Sequence, residues 1–274
     1  MKNILITGGT GTLGSALAQS VVGAHINDHG APDIDHNITI FTRNEADRVK
    51  MKAEHPYFHY ITGDVRDYSE VLKACKGMDY VFHFAALKHV NICETQPQEA
   101  VKTNVLGTMN VINACKEQGV KLVSMSTDKA INPCNIYGYT KLLAESMVVQ
   151  AGFVSIRSGN VMWSSGSVFP IWQQQIKKHN RIDITDFGMT RFFIDVKDLI
   201  KFIWECKDKI GTFTVPMKSF NLMDIAQAFA DEFGDEETRI NEVGLRPGER
   251  LHEFRDENTS SENNISEDLT YIFK

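Results

Sequence analysis

Apolar residues fall in two rhythms along this chain. Short β-branched runs at 3–6, 38–41, 58–61, 80–84, 122–125 and 154–156 predict strands. Between them, apolar positions recur at three- and four-residue spacing and predict helices near 12–23, 44–53, 68–75, 97–117 and 137–150. Repeated β-α-β alternation implies an α/β fold, a Rossmann-type doubly wound parallel sheet with ligands at the carboxyl ends of its strands. The polar stretch 25–36 predicts a surface loop before the second strand. Past residue 158 the rhythm breaks up. Helices are expected near 168–178, 195–207 and 221–233, with short strands near 191–194 and 212–215. The division expected is residues 1–158 as an NADP-binding domain and 159–274 mainly as a small substrate lobe, with 191–208 returning to the sheet. The polar tail 256–268 is expected to be mobile.

Composition narrows the class. The 274 residues are 42% hydrophobic and 23% charged, globular values that exclude a largely disordered chain. Lys and Arg number 29 against 35 Asp and Glu, a net charge of −6, which gives no footprint for nucleic acid. Residues 231–274 alone carry 13 acidic and 5 basic side chains, so the rest is about +2 and has room for an anion site. No run of ~18 apolar residues predicts a membrane span, and MKNILITGGT lacks the pattern of a signal peptide. Five widely spaced cysteines without a CxxC pair read as reduced thiols in a cytoplasmic protein and predict no metal site.

The first predicted strand runs into Gly8-Gly9-Thr10-Gly11-Thr12-Leu13-Gly14 and then a helix. Gly8 allows a tight turn, Gly11 admits a pyrophosphate without a Cβ clash, and Gly14 lets helix and strand pack closely. The helix N-terminus offers N–H groups and partial positive charge to that anion. The second strand ends at Arg43 rather than at an acid. An acid would accept from a ribose 2′-hydroxyl. Arg43 suits a 2′-phosphate, favouring NADP, and reads also as an exposed loop arginine. Asp64, with Val65 beside it, follows the third strand, where it either meets an adenine edge or caps the next turn. Ala85 and Ala86 end the fourth strand and leave room for a flat cofactor. Asn104 on the next helix bridges either to the cofactor or to the backbone.

The fifth strand carries Ser126-Thr127-Asp128-Lys129 at its tip, and Tyr137 and Lys141 follow at i, i+4 spacing, on one helix face. An ammonium beside a phenol favours the phenolate, and such a pair can take a hydroxyl proton as hydride leaves the same carbon for a nicotinamide. Asp128 and Lys129 alone read equally as a strand-end salt bridge.

TGGTGTLG, GDVRD, HFAA and YGYTK together resemble the extended short-chain dehydrogenase/reductases. STDKAINPCNIYGYTK, AALKHV, SGNVMWSSGSVFP, MTRFF and RPGERLHE, in this order, resemble a narrower group, the polysaccharide-biosynthesis nucleotide-sugar dehydratases. Its inverting UDP-N-acetylglucosamine 4,6-dehydratases match best, over residues 2–255. The resemblance implies Thr127, Tyr137 and Lys141 as the oxidising set at C4, Lys129 as base at C5 and Asp128 as acid for the departing C6 hydroxyl. Burial beside Lys141 is expected to lower the pKa of Lys129. A UDP-sugar needs cations, and the resemblance implies Arg191, Arg246 and Glu249 at the substrate cleft with Asn160 and Lys88. His83 and His89 read as packing or loop residues. A homo-oligomer joined by the helices near 97–117 and 137–150 is implied as well. Three departures stand out. Trp163-Ser164-Ser165-Gly166-Ser167 replaces the family's Gly-Ser-Arg-Gly-Ser, so an arginine is missing at Ser165 and Trp163 adds bulk. Tyr139 replaces a small residue and is expected to narrow the cleft. The chain also ends soon after RPGERLHE, so a trimmed lobe is expected. The alternatives are a UDP-sugar 4-epimerase, which has no need of Asp128 and Lys129, and a non-catalytic NADP-binding sensor.

Overall fold

The computed structural model describes residues 1–26 and 32–273. Seven strands form one sheet: β1 (Asn3–Thr7), β2 (Asn37–Thr42), β3 (His59–Thr62), β4 (Tyr80–His83), β5 (Lys121–Thr127), β6 (Val154–Ser158) and β7 (Gly211–Thr214). All their pairings are parallel, in the order β7-β6-β5-β4-β1-β2-β3. The chain winds outward from β1 through β2 to β3, then crosses back to β4 and onward. The strand order therefore reverses beside β1, and the crevice there is where such sheets bind ligands.

Side-chain alternation builds two cores from the same strands. Ile4 and Ile6 bury on one face with Phe82, Val123 and Ile156. Leu5 buries on the other with Val81, Leu122 and Val111. Helices Thr12–Ser20 and Val196–Cys206 pack together on the first face, while Tyr68–Cys75, Gly107–Gln118 and Ile136–Gln150 pack in sequence on the second. Burial on both faces is why these strands read as nearly continuous apolar runs. A third core, around Phe169, Trp172, Phe193, Phe220 and Phe229, belongs to the C-terminal lobe. There Thr190–Ile194 pairs antiparallel with Lys218–Asn221 and parallel with Asn160–Val161, and Arg181–Ile184 pairs with Arg239–Glu242.

Several expectations change. The first helix ends at Ser20, because the β-branched Val21-Val22 leads into an extended segment, Val22–Ile26, paired antiparallel with Pro32–Ile34. The stretch 25–36 is thus partly a two-stranded ribbon, and residues 27–31 of that loop lie outside the described residues. The helix expected at 97–117 changes register within itself, Val101–Leu106 being π-helical. The tail does not hang free: Ser261 is fully buried, and its hydroxyl donates to the Thr190 carbonyl.

Candidate active site

The strand tips enclose a cleft of about 490 Å³. One wall is the glycine turn. Gly8 sits at φ +67°, and a Cβ there would lie 2.7 Å from the backbone nitrogen of Ala85, at the tip of β4. A Cβ on Gly14 would lie 2.5 Å from the Gly9 Cα. Gly11 is the helix N-cap and no side chain among the described residues caps it, so the first N–H groups of the helix open into the cleft. Thr10 hydrogen-bonds Thr42 at 3.0 Å and ties the turn to the end of β2. Thr12, Leu13, Arg43, Val65, Ala85 and Ala86 complete this end. The cradle fits a dinucleotide: only glycine leaves the backbone approach open, and the uncapped helix N-terminus suits a pyrophosphate. Arg43 is exposed, with Nη1 3.9 Å from the Asp64 carboxylate.

Asp64 lines this end of the cleft too, with its carboxylate bonded within the protein. Its Oδ1 accepts from the Arg66 backbone N–H at 3.0 Å and its Oδ2 from the Arg66 guanidinium at 2.6 Å. Burial pushes its carboxyl up, but the Arg66 hydrogen bonds and charge outweigh that and hold it low. Asn104 is also used up: its amide accepts from Leu87 N at 2.8 Å and donates to Leu87 O and to Thr140. It pins the segment after β4 to the Tyr137 helix and does not line the cleft.

At the other end, Ser126, Thr127, Lys129, Tyr137 and Lys141 line the same cleft. The helix bearing Tyr137 starts at a firm cap, since the Asn135 side chain accepts from Gly138 N at 2.7 Å. Gly138 has no room for a Cβ, which would lie 2.3 Å from the Lys129 carbonyl, so the helix packs directly on the Asp128–Ala130 turn. Thr127 donates to Asp128 Oδ1 at 2.9 Å, and the Lys129 ammonium donates to the same oxygen at 3.0 Å. Asp128 is fully buried, lies behind the cleft wall, and its Oδ2 has no hydrogen-bond partner among the described residues.

The electrostatics differ from expectation at Lys129. Lys129 is not depressed. Burial lowers its pKa, but the Asp128 and Glu253 carboxylates, at 3.0 and 3.4 Å, outweigh burial and raise it. Lys141 lines the same cleft and is bonded to the backbone. Its Nζ donates to the Met125 carbonyl at 2.5 Å, and burial lowers its pKa to about 8. Burial raises the Tyr137 phenol to about 12, opposed by the Lys129 charge and by Thr127. His83 is buried between Thr7 and Thr108 and pushed down to about 3 by burial, a neutral packing residue.

The proposed substrate residues divide. Asn160 and Lys88 line the cleft, Lys88 donating to the Ser165 carbonyl at 2.5 Å. Arg191 does not reach it, because its guanidinium is spent on the carbonyls of Thr190, Leu251 and Arg250. Arg246 and Glu249 close a turn on themselves outside the cleft, with Glu249 N donating to Arg246 O at 3.0 Å. The carbonyl of Gly248 in that turn accepts from Asn135, and Arg250 donates to the Ile131 and Asn132 carbonyls. RPGERLHE therefore braces the loop before Tyr137. Trp163 packs on Phe169 and Phe229 in the lobe, and Tyr139 is exposed, so neither narrows the cleft. Sequence reasoning missed Ser126, Ser167 and Glu253. All three carry a buried oxygen without a hydrogen-bond partner among the described residues, a property that appears only once the chain is folded.

A 3-2-1-4-5-6 parallel order extended by a seventh strand, a glycine turn under the cofactor crevice and a Thr-Tyr-Lys set at the tip of β5 define an extended short-chain dehydrogenase/reductase, a class of nucleotide-sugar dehydratases and epimerases. Within it, the chain belongs to the polysaccharide biosynthesis protein family, whose model matches residues 4–273. It is 37% identical to the inverting UDP-N-acetylglucosamine 4,6-dehydratase of Campylobacter jejuni, over 100% of this chain and 81% of that one. It is also 37% identical to the UDP-glucose 4-epimerase of Rickettsia canadensis, over 92% of this chain and 76% of that one. The crystal structure of Pen from Bacillus thuringiensis superposes with a TM-score of 0.90 at 34% identity, covering 99% of this chain and 97% of that one.

Proposed function

We propose that this protein removes water from a UDP-N-acetylhexosamine, UDP-N-acetylglucosamine first among them. The steps are NADP-dependent oxidation at C4, elimination across C5 and C6 and reduction at C6, with inversion at C5. The observation that carries the reading is Lys129: its ammonium, ion-paired to buried Asp128, lines the same cleft as Tyr137. A reaction confined to C4 has no use for this second acid–base pair.

When bound, the nicotinamide supplies the hydride acceptor for C4 and the donor for C6. Tyr137 accepts the C4 hydroxyl proton as its phenolate, a form that the Lys129 charge and Thr127 favour against burial. The new ketone acidifies C5–H. Lys129 becomes a base by passing one proton to Asp128, 3.0 Å away. This exchange replaces two buried charges with a neutral amine and a neutral acid, and it grows easier as substrate expels water. The amine then takes the C5 proton, the C5–H electrons form the C5–C6 double bond, and C6–O breaks as the Asp128 proton passes to the leaving oxygen through the Thr127 hydroxyl, 2.9 Å from Asp128 and at the cleft. C5 takes a solvent proton on its opposite face as C6 is reduced, and Tyr137 returns its proton to solvent. Lys88 and Asn160 face the sugar nucleotide. Arg43, with no acid at the end of β2, supports NADP over NAD.

A 4-epimerase is the second reading, favoured by the relative of equal identity bearing that name. Incubation with a panel of UDP- and dTDP-sugars, followed by NMR of the products, tests both. A 4-keto-6-deoxy product from a UDP-N-acetylhexosamine supports the dehydratase. A C4 epimer with all oxygens retained overturns it. NADP binding with no turnover of any member would leave only a sensor.

A further inference from the structure

Lys129 is held by two carboxylates, and only one of them is its neighbour in sequence. Glu253, in the C-terminal segment, is 2% exposed, and its Oε1 lies 3.4 Å from the Lys129 Nζ. Its Oε2 has no hydrogen-bond partner among the described residues, and Arg250 Nε stands 3.9 Å from it. A carboxylate buried with one oxygen unsatisfied costs stability, so its position calls for a compensating interaction. Its backbone is set there firmly, since Glu253 N donates to Ser261 Oγ at 2.8 Å and Ser261 N donates to Glu253 O at 2.7 Å.

We propose that Glu253 is a positioning residue that fixes the charge and place of the Lys129 ammonium, so that the C-terminal segment governs the acid–base centre at the tip of β5. The proposal rests on the reading of Lys129 as the proton-transfer group. Asp128 alone balances one ammonium. Once Asp128 has accepted a proton and become neutral, Glu253 is the carboxylate left to hold Nζ at the cleft and to stabilise the ammonium that re-forms when the amine takes the C5 proton. The groups facing Lys129 are Asp128 from its own turn, Tyr137 from the helix, Arg191 from the strand Thr190–Ile194 and Glu253, with Arg250 behind it. Arg191 opposes protonation and the two carboxylates favour it. Removing one carboxylate within ion-pair distance lowers a lysine pKa by about 1–3 units.

The test compares Glu253→Gln and Glu253→Asp in the holoprotein. Lys129 titration is followed by NMR of lysine-labelled protein, with the signal assigned by its loss in Lys129→Met, alongside the pH profile of kcat. In Glu253→Gln, the Lys129 midpoint and the basic limb of kcat should both move to lower pH by about 1–3 units. Glu253→Asp keeps the charge and should return both toward wild type, which also covers a Gln variant that fails to fold. An unchanged Lys129 midpoint in Glu253→Gln, or an Asp variant titrating like the Gln one, overturns the proposal. A shifted midpoint in a protein that releases no water from any UDP-sugar supports the Glu253–Lys129 coupling and overturns the dehydratase reading instead.

Discussion

Burial leaves Lys141 with a pKa of about 8, so its charge falls within the working pH range. It lines the cleft where the dinucleotide is expected. Raising pH through about 8 should therefore weaken NADP binding as the ammonium is lost, measurable by calorimetry. Lys141→Arg should flatten that dependence, and Lys141→Met should weaken binding about ten- to a hundredfold, the worth of a charge-assisted hydrogen bond. His83 titrates the other way in stability. Its folded pKa of about 3 lies below the unfolded value, so the unfolded chain binds the proton first and stability falls as pH drops from about 6.5. Depressed His89 adds in the same direction. Thermal melts between pH 6.5 and 4.5, above the carboxylate range, should show the fall, and His83→Gln should flatten it. The identities of Tyr137, Lys141, Thr127 and Lys129 were legible in the chain, because their spacing on one helix and one strand tip is local. The sign of the shift at Lys129 was not. It is set by Asp128 and Glu253 together against burial, and Glu253 approaches only through the tertiary fold.

The element most sensitive to one added atom is the helix Ile136–Gln150. Its first turn rests on the Lys129 carbonyl through Gly138, and Asn135 caps it while holding the Gly248 carbonyl. Gly138→Ala forces the helix off the turn and should cost about 1–3 kcal/mol, with a larger fractional loss of turnover than of substrate affinity, because Tyr137 moves from Thr127. Urea melts and steady-state kinetics check this. This helix and the inner strands β1, β2, β4, β5 and β6 were legible because each holds a run of buried positions. The helix Val90–Thr95 and the lobe strands Arg181–Ile184, Lys218–Asn221 and Arg239–Glu242 were not, since four to six residues carry too little pattern to separate strand, helix and loop. Arg191 and Arg246 misled for a related reason. A guanidinium that could bind phosphate looks the same in sequence as one that binds the carbonyls of its own fold, as Arg191 does, or one that faces a carboxylate outside the cleft, as Arg246 does.

Over the whole molecule, the doubly wound sheet followed from βα alternation and the glycine turn, whereas the lobe depends on pairings between distant segments that no local pattern announces. The adjoining helices that carry Val101, Leu106 and Met109 on one side and Tyr139 and Leu143 on the other expose these apolar side chains. We propose that this face joins two copies. Leu143→Glu should shift the protein toward monomer in analytical ultracentrifugation and leave the fold intact by circular dichroism. Among the described residues no helix is long and apolar enough to cross a membrane. The most direct test of the chemistry follows one carbon. UDP-N-acetylglucosamine turned over in heavy water should yield a 4-keto-6-deoxy sugar carrying solvent deuterium at C5, and Lys129→Met should abolish that label. A product with its original hydrogen at C5, formed equally well by Lys129→Met, would contradict an acid–base centre at Asp128 and Lys129.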